Sequence, residues 1–172
     1  MAIISAQSLL RTLSLFHLTV SYYLLTSPST IASQNLVYVL GAAMDIPDPP
    51  ISLSTPSPAS TLAALFLALL AISDLTSSGL PEEVGSHYWS SQAPIRLAFF
   101  FGITGYSYAG KPGGLWGGKA GTEGKGLCNS VVFTWGFLEM LWWFWVYVTL
   151  RDEKRDMMVR VQERRKAEDD RL

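Results

Sequence analysis

The chain has 172 residues, 49% of them hydrophobic and 16% charged, with a formal net charge of −1; an average soluble domain carries about 25% charged residues. Fifteen of the 27 charges lie between positions 151 and 171, so the first 150 residues have the charge density of a membrane-embedded chain. The near-neutral balance argues against nucleic acid as a direct partner, because phosphate contacts need a basic surface. One cysteine and two histidines exclude an internal disulfide and leave no cluster with metal-ligand spacing.

Crossing a bilayer takes roughly 20 apolar residues, and four stretches are candidates. The first, residues 3–25, ends at Ser27-Pro28. Arg11 is its lone arginine, which argues against a mitochondrial transit peptide, and the lack of an Ala-x-Ala site favours a retained signal anchor over a cleaved signal. Within it Gln7, Arg11, Ser14, His17 and Ser21 recur at steps of four, three, three and four. At about 100° per residue they share roughly a third of the helix circumference. A polar face of that length should look into a helix bundle or a hydrated groove, not into lipid.

Residues 31–44, "IASQNLVYVLGAAM", are too few to span and too apolar for an ordinary loop, which predicts an interfacial or re-entrant helix. Prolines and serines at 45–60 mark a polar linker. The second span is predicted over residues 61–80. The third covers 94–108 and opens on Pro94, a residue favoured at the first helical position.

Residues 109–126 form a glycine-rich connector containing "GGLWGGKA". Gly113, Gly118 and Lys119 fit a Walker phosphate loop, but Ala120 stands where the magnesium-holding Ser or Thr belongs, and no strand precedes it. The reading is a flexible linker with solvated lysines. Cys128 is most simply a small apolar residue at a helix start.

The fourth span is predicted over residues 127–150. Its "WWFW" run at 142–145 and Tyr147 crowd the end nearer Arg151, where amphipathic rings prefer the water interface; an aromatic ligand cage is the alternative. The tail, residues 151–172, mixes both signs at helical spacing, as a solvated helix continuing span four or as a handle for a cytosolic partner. Its eight basic residues place both termini in the cytosol by the positive-inside rule, although Lys111, Lys119 and Lys125 pull the other way. The fold class predicted is an all-α, four-transmembrane-helix bundle with an interfacial or re-entrant helix after the first span and a charged C-terminal helix.

Five ionisable residues then lie at membrane depth, where each costs a few kcal/mol: Arg11, His17, Asp74, Arg96 and Glu139. Asp74 near the end of span two and Arg96 near the start of span three should pair across an antiparallel hairpin. Glu139 could be neutralised by Arg11 or His17; Arg11 is preferred as the longer, always charged partner. Such pairs act as internal glue or line a pathway for ions, protons or substrate. Gly102, Gly105 and Gly136 are small positions where another membrane helix could dock. No catalytic residue, metal site or cofactor is assigned.

The segments "AMDIP", "AISDL", "QAPIRLAFFFGITGYSY" and "FLEMLWWFWVYVTLRDEK" together resemble the fungal family called increased loss of mitochondrial DNA protein. Pro94, Ile95 and Arg96 at the head of an aromatic-rich span are the most specific part. The resemblance implies a small multi-pass protein of the endoplasmic reticulum whose loss leads cells to lose mitochondrial DNA, and it supplies no molecular activity. The leading expectation is a non-enzymatic adaptor or subunit of a larger membrane complex, with an indirect effect on mitochondrial DNA. The alternative is an enzyme or binding protein for a sterol or other lipid that uses Glu139, Asp74 or His17 as acid or base in an apolar pocket. Partners are thus the lipid bilayer, a larger membrane protein, or a bound lipid. A hydrated pocket behind His17 and Glu139 with apolar walls favours the lipid site; full mutual pairing with an outward groove of small residues favours docking.

Overall fold

A computed structural model describes residues 4–49, 53, 55–115 and 126–169. Ile3 at the start of the first expected span, the part of the connector with Gly118, Lys119 and Lys125, and the last three residues of the tail lie outside them. The described residues are helical, with no strand: α1 (Ala6–Thr26), α2 (Pro28–Ala32), α3 (Asn35–Met44), α4 (Pro58–Ser77), α5 (Glu82–Ala109) and α6 (Ser130–Asp169).

Local chemistry sets most of the boundaries. Ser5 caps α1 by accepting from the Ser8 backbone N–H at 3.3 Å, and the Ser27-Pro28 step ends it, because proline pushes the preceding residue out of helical backbone space. The apolar stretch at 31–44 divides between α2 and α3. The end of α3 closes in a Schellman pattern: Ile46 N–H donates to the Gly41 carbonyl, Asp45 N–H donates to Ala42, and Asp45 takes the left-handed conformation at φ 54°. A reciprocal capping box opens α4, with Ser57 and Ser60 each accepting from the other's backbone N–H at 3.1 and 2.9 Å and Pro58 in the first turn.

Pro94 does not start a helix. It sits inside α5, which begins twelve residues earlier at Glu82. Proline removes one intrahelical hydrogen bond, but Trp89 and Ala93 just before it are 1% and 0% exposed. Burial of these two side chains outweighs the local signal. At the other end Asn129 caps α6 by accepting from Val132 N–H at 3.0 Å, and α6 then runs unbroken past Leu150 into the charged tail. Its 40 residues make a rod roughly 60 Å long.

Two antiparallel pairs organise the long helices. α4 lies along α1, where the buried positions of α4 are the small or short side chains Ser60, Ala64, Ala71 and Asp74. α5 lies along α6, and Gly136 allows the approach: a Cβ there would stand 2.7 Å from Thr104 Oγ1 and 3.4 Å from Ile103 Cγ2. α3 closes on the start of α6 by the same means, since a Cβ on Gly41 would meet Ser130 Cβ at 2.8 Å. The pairs join along α1 and α6, through a core of Leu9, Leu10 and Leu13 against Trp89, Trp143, Val146 and Leu150. α4 and α5, by contrast, scarcely touch.

Leu62, Leu65, Phe66, Leu69, Leu70 and Ile72 of α4 are all exposed. Two described helices, Pro58–Ser77 and Ser130–Ala167, are long and apolar enough to cross a membrane. α1 and α5 are less apolar: α1 carries Gln7, Arg11, Ser14, His17 and Ser21, and α5 opens on a polar run with Ser86, His87, Ser90, Ser91 and Gln92. Gly136 is therefore a contact inside this chain and is not free for an outside helix, whereas a Cβ on Gly102 or Gly105 would meet nothing within 4 Å. Gly136→Val should accordingly destabilise the protein by about 1–3 kcal/mol through overpacking, while Gly102→Ala should be neutral or stabilising by up to about 1 kcal/mol. Thermal unfolding in detergent micelles checks this; equal effects at the two positions would contradict the assigned α5–α6 seam.

Candidate functional site

The four long helices each send one ionisable side chain to a common centre. His17 comes from α1, Asp74 from α4, Arg96 from α5 and Glu139 from α6; His17, Asp74 and Glu139 are 6%, 4% and 2% exposed. Charges at that depth persist only when paired and hydrogen-bonded. Glu139 is held twice: His17 Nε2 bonds to Oε1, and Trp143 Nε1 donates to Oε2 at 3.0 Å. Trp143 lies four residues after Glu139, one turn along the same helix face.

Asp74 is held by a fork. Arg96 donates from Nη1 to Oδ2 at 2.5 Å and from Nη2 to Oδ1 at 2.8 Å, the bidentate arrangement that adds geometry to charge. The guanidinium carbon lies 4.8 Å from the centroid of Trp143 and 5.5 Å from that of Trp89, in cation–π contact with both. Those indoles stack on each other at 6.1 Å. Trp143 thus links the two ion pairs, since its N–H serves Glu139 and its ring faces Arg96.

Sequence reasoning favoured Arg11 as the partner of Glu139, and the structure assigns His17 instead. Six residues separate them, roughly 9 Å along α1, and it is His17 that lies level with Glu139 across the antiparallel α1–α6 contact. Arg11 is exposed, and its Nη2 donates at 3.4 Å to the Ser78 carbonyl just past the end of α4, where a cation complements the helix dipole. The polar face of α1 divides in the same way: Ser14, His17 and Ser21 are buried and Arg11 is not. Ser21 Oγ donates to the Ala64 carbonyl at 2.8 Å, tying α1 to α4.

Trp89 and Trp143 are the site residues that sequence reasoning missed. Trp143 stands in the run expected at the interface, yet only Phe144 and Trp145 of that run are well exposed, while Trp142 donates to the Leu9 carbonyl at 3.2 Å. The spacing of Trp143 from Glu139 was the available signal. Trp89 precedes Pro94, whose preference for a first helical turn hides the part of α5 before it.

The weak contact between α4 and α5 leaves a cleft of about 580 Å³ between them. His17, Asp74, Arg96 and Glu139 lie toward one end, and the walls are apolar, with Val20, Leu67, Phe100, Ile103 and Val132 among them. Leu70, Phe99 and Leu127 at its margin are 54%, 61% and 49% exposed, so its rim is apolar as well. From Asp74 to Ala63 the α4 wall runs roughly 16 Å by helical rise. A volume of this size falls within the about 300–1,000 Å³ typical of small-molecule sites. Among the described residues no group of three or more His, Cys, Asp or Glu is placed to hold a metal.

The sequence profile of the family described as "Increased loss of mitochondrial DNA protein 1" matches residues 4–160. The chain belongs to this family. Protein ilm1 of Schizosaccharomyces pombe is 27% identical to it over 130 residues, covering 76% of this chain and 71% of that protein. Protein ILM1 of Saccharomyces cerevisiae is 29% identical over 149 residues, covering 86% of this chain and 65% of that protein. No solved structure matches. The family match takes in His17, Asp74, Arg96 and Glu139 together with both tryptophans between them.

Breaking one partner of the Arg96–Asp74 fork leaves a buried carboxylate uncompensated. Arg96→Leu should lower stability by about 1–3 kcal/mol. The double replacement Asp74→Leu with Arg96→Leu should recover much of that loss, because a buried pair contributes little net stability over well-packed apolar residues. A double-mutant cycle on thermal unfolding checks both, and additive losses would contradict a direct pair.

Proposed function

We propose that this protein is an integral membrane protein whose four long helices cross the bilayer and hold one lipid molecule in the cleft between α4 and α5. The observation that carries this reading is the cleft itself: apolar walls and an apolar rim lead to a compact polar end formed by His17, Glu139, Asp74 and Arg96. Such a shape accepts an amphipathic guest with its tail along α4 and α5 and its head at the charged residues. Bilayer residence is supported by the exposed leucines and phenylalanine of α4, a surface that soluble proteins rarely present. It is supported too by four ionisable groups directed inward rather than toward that surface.

The family's name ties it to mitochondrial DNA maintenance. A chain of net charge −1 with no basic face in its apolar part would influence DNA indirectly, through lipid supply or membrane composition. The endoplasmic reticulum is the membrane that the family resemblance points to, with both termini cytosolic as the basic tail favours. A second reading, an adaptor docked onto a larger membrane protein, draws on Gly102 and Gly105, whose open positions would let a foreign helix approach α5.

Purification of the tagged full chain in gentle detergent from native membranes, followed by mass spectrometry of lipids and proteins, separates the two. The lipid reading expects one lipid class enriched over the bulk extract. That enrichment should be lost when Ile103→Trp fills the cleft and retained in Gly102→Leu. A stoichiometric membrane protein with no enriched lipid, released by Gly102→Leu, would transfer the assignment to the adaptor.

A further inference from the structure

The four polar residues at the end of the cleft are not equally open. The side chains of His17, Asp74 and Glu139 are 7%, 5% and 2% exposed, whereas that of Arg96 is 23% exposed. Arg96 also has bonding capacity to spare. A guanidinium carries five N–H donors in one plane, and Asp74 takes one from Nη1 and one from Nη2. That fork covers the end of the group and leaves its side edge, where Nε–H and the adjacent Nη N–H point the same way. Nε has no hydrogen-bond partner among the described residues, and it is not one of their buried unpartnered atoms, so a guest can reach it.

We infer that this free edge of Arg96 is the recognition element for the cleft's lipid, and that the lipid presents a neutral carbonyl oxygen to it, as an acyl ester does. This rests on the lipid-cleft reading above and names the chemistry of its guest. Arginine stays protonated and only donates, so its partner has to accept. Two N–H groups side by side suit a carbonyl oxygen, whose lone pairs lie in the plane of the carbonyl group. The edge is held in place, because Asp74 fixes the end of the guanidinium while Trp143 and Trp89 lie 4.8 and 5.5 Å from its carbon. Phe99, Phe100 and Ile103 follow Arg96 at three, four and seven residues, on one face of α5, and line the same cleft. An acyl chain laid along that face brings its ester to the arginine.

Charge disfavours an anionic head. Among the described residues lining the cleft Arg96 is the one lysine or arginine. Its two-pronged fork is the arrangement in which an ionised carboxylate is bound, so Asp74 already balances its charge. A phosphate or fatty-acid carboxylate would share that cation and lie against the Asp74 carboxylate, a like-charge contact. An ester carbonyl supplies the acceptor without the repulsion.

The test uses the full chain in nanodiscs of ether-linked phosphatidylcholine, a bilayer without ester carbonyls. The photoprobe is the methyl ester of a diazirine- and alkyne-tagged palmitate. Methyl palmitate, hexadecyl methyl ether, which lacks only the carbonyl oxygen, and ionised palmitate serve as competitors. Labelling should map to peptides of α4 and α5 facing the cleft. Methyl palmitate should compete about tenfold better than the ether, the scale of one hydrogen bond to a charged group, and better than palmitate. The double variant Asp74→Leu with Arg96→Leu removes the edge without stranding a carboxylate, and its ester-to-ether ratio should fall to near one. Arg96→Lys, which keeps a cation for Asp74 but not the planar edge, should lower the ratio as well. Equal competition by ester and ether in the unaltered protein would overturn carbonyl recognition while leaving a lipid cleft, and so would stronger competition by palmitate or an undiminished ratio in both variants. Labelling confined to other surfaces would overturn the lipid-cleft reading itself.

Discussion

Glu139 has to be neutralised where it is, in the first third of α6 and 2% exposed, and much of the arrangement serves that requirement. His17 reaches it from α1 and Trp143 from one turn further along α6. The His17 contact fixes the register of α1 against α6, because a slide of one turn would leave a buried carboxylate without its partner, at a cost beyond that of a lost neutral hydrogen bond. With α1 fixed, the small buried residues Ser60, Ala64 and Ala71 seat α4 on it. Asp74 then falls at the depth where Arg96 of α5 can meet it. Trp143 passes the constraint from one pair to the other.

The cleft follows from this division of labour. α4 turns its small residues toward α1, and α5 turns Ile103 and Thr104 toward Gly136 of α6, so those faces are not available for α4 and α5 to pack on each other. Their connection is one polar fork at Arg96 and Asp74 with large apolar side chains beyond it. Two hairpins that are well packed internally and joined at one end leave room between them at the other. In the proposed bilayer setting lipid has access to that room. The same polar residues that order the helices then form the head-group end of the proposed site.

The all-helical class was legible from composition and apolar patterning. The Asp74–Arg96 pair forms as expected but not for the expected reason: the helix ends that adjoin are not those of the pair, since α5 begins at Glu82 and Arg96 lies fourteen residues along it. Continuity of α6 into its tail follows from charge at helical spacing. The partner of Glu139 was not legible. Chain length and permanent charge favour Arg11, but the choice depends on how far α1 slides along α6, a tertiary quantity at which the His17 contact and the packing of Leu9, Leu10 and Leu13 have to agree. Pro94 misled for a related reason: its preference for a first turn is local, and burial of Trp89 and Ala93 overrides it. The cleft depends on which faces α4 and α5 turn away from each other, and the sequence alone does not specify those faces.

The most direct measurement is an experimental structure of the full chain purified with its native lipids, at a resolution that separates side-chain atoms. The account predicts the His17–Glu139 contact, the Arg96–Asp74 fork, and elongated density between α4 and α5 whose polar end lies toward His17, Asp74, Arg96 and Glu139. A cleft closed by α4 packing directly onto α5, or Glu139 paired with Arg11 in place of His17, would contradict it.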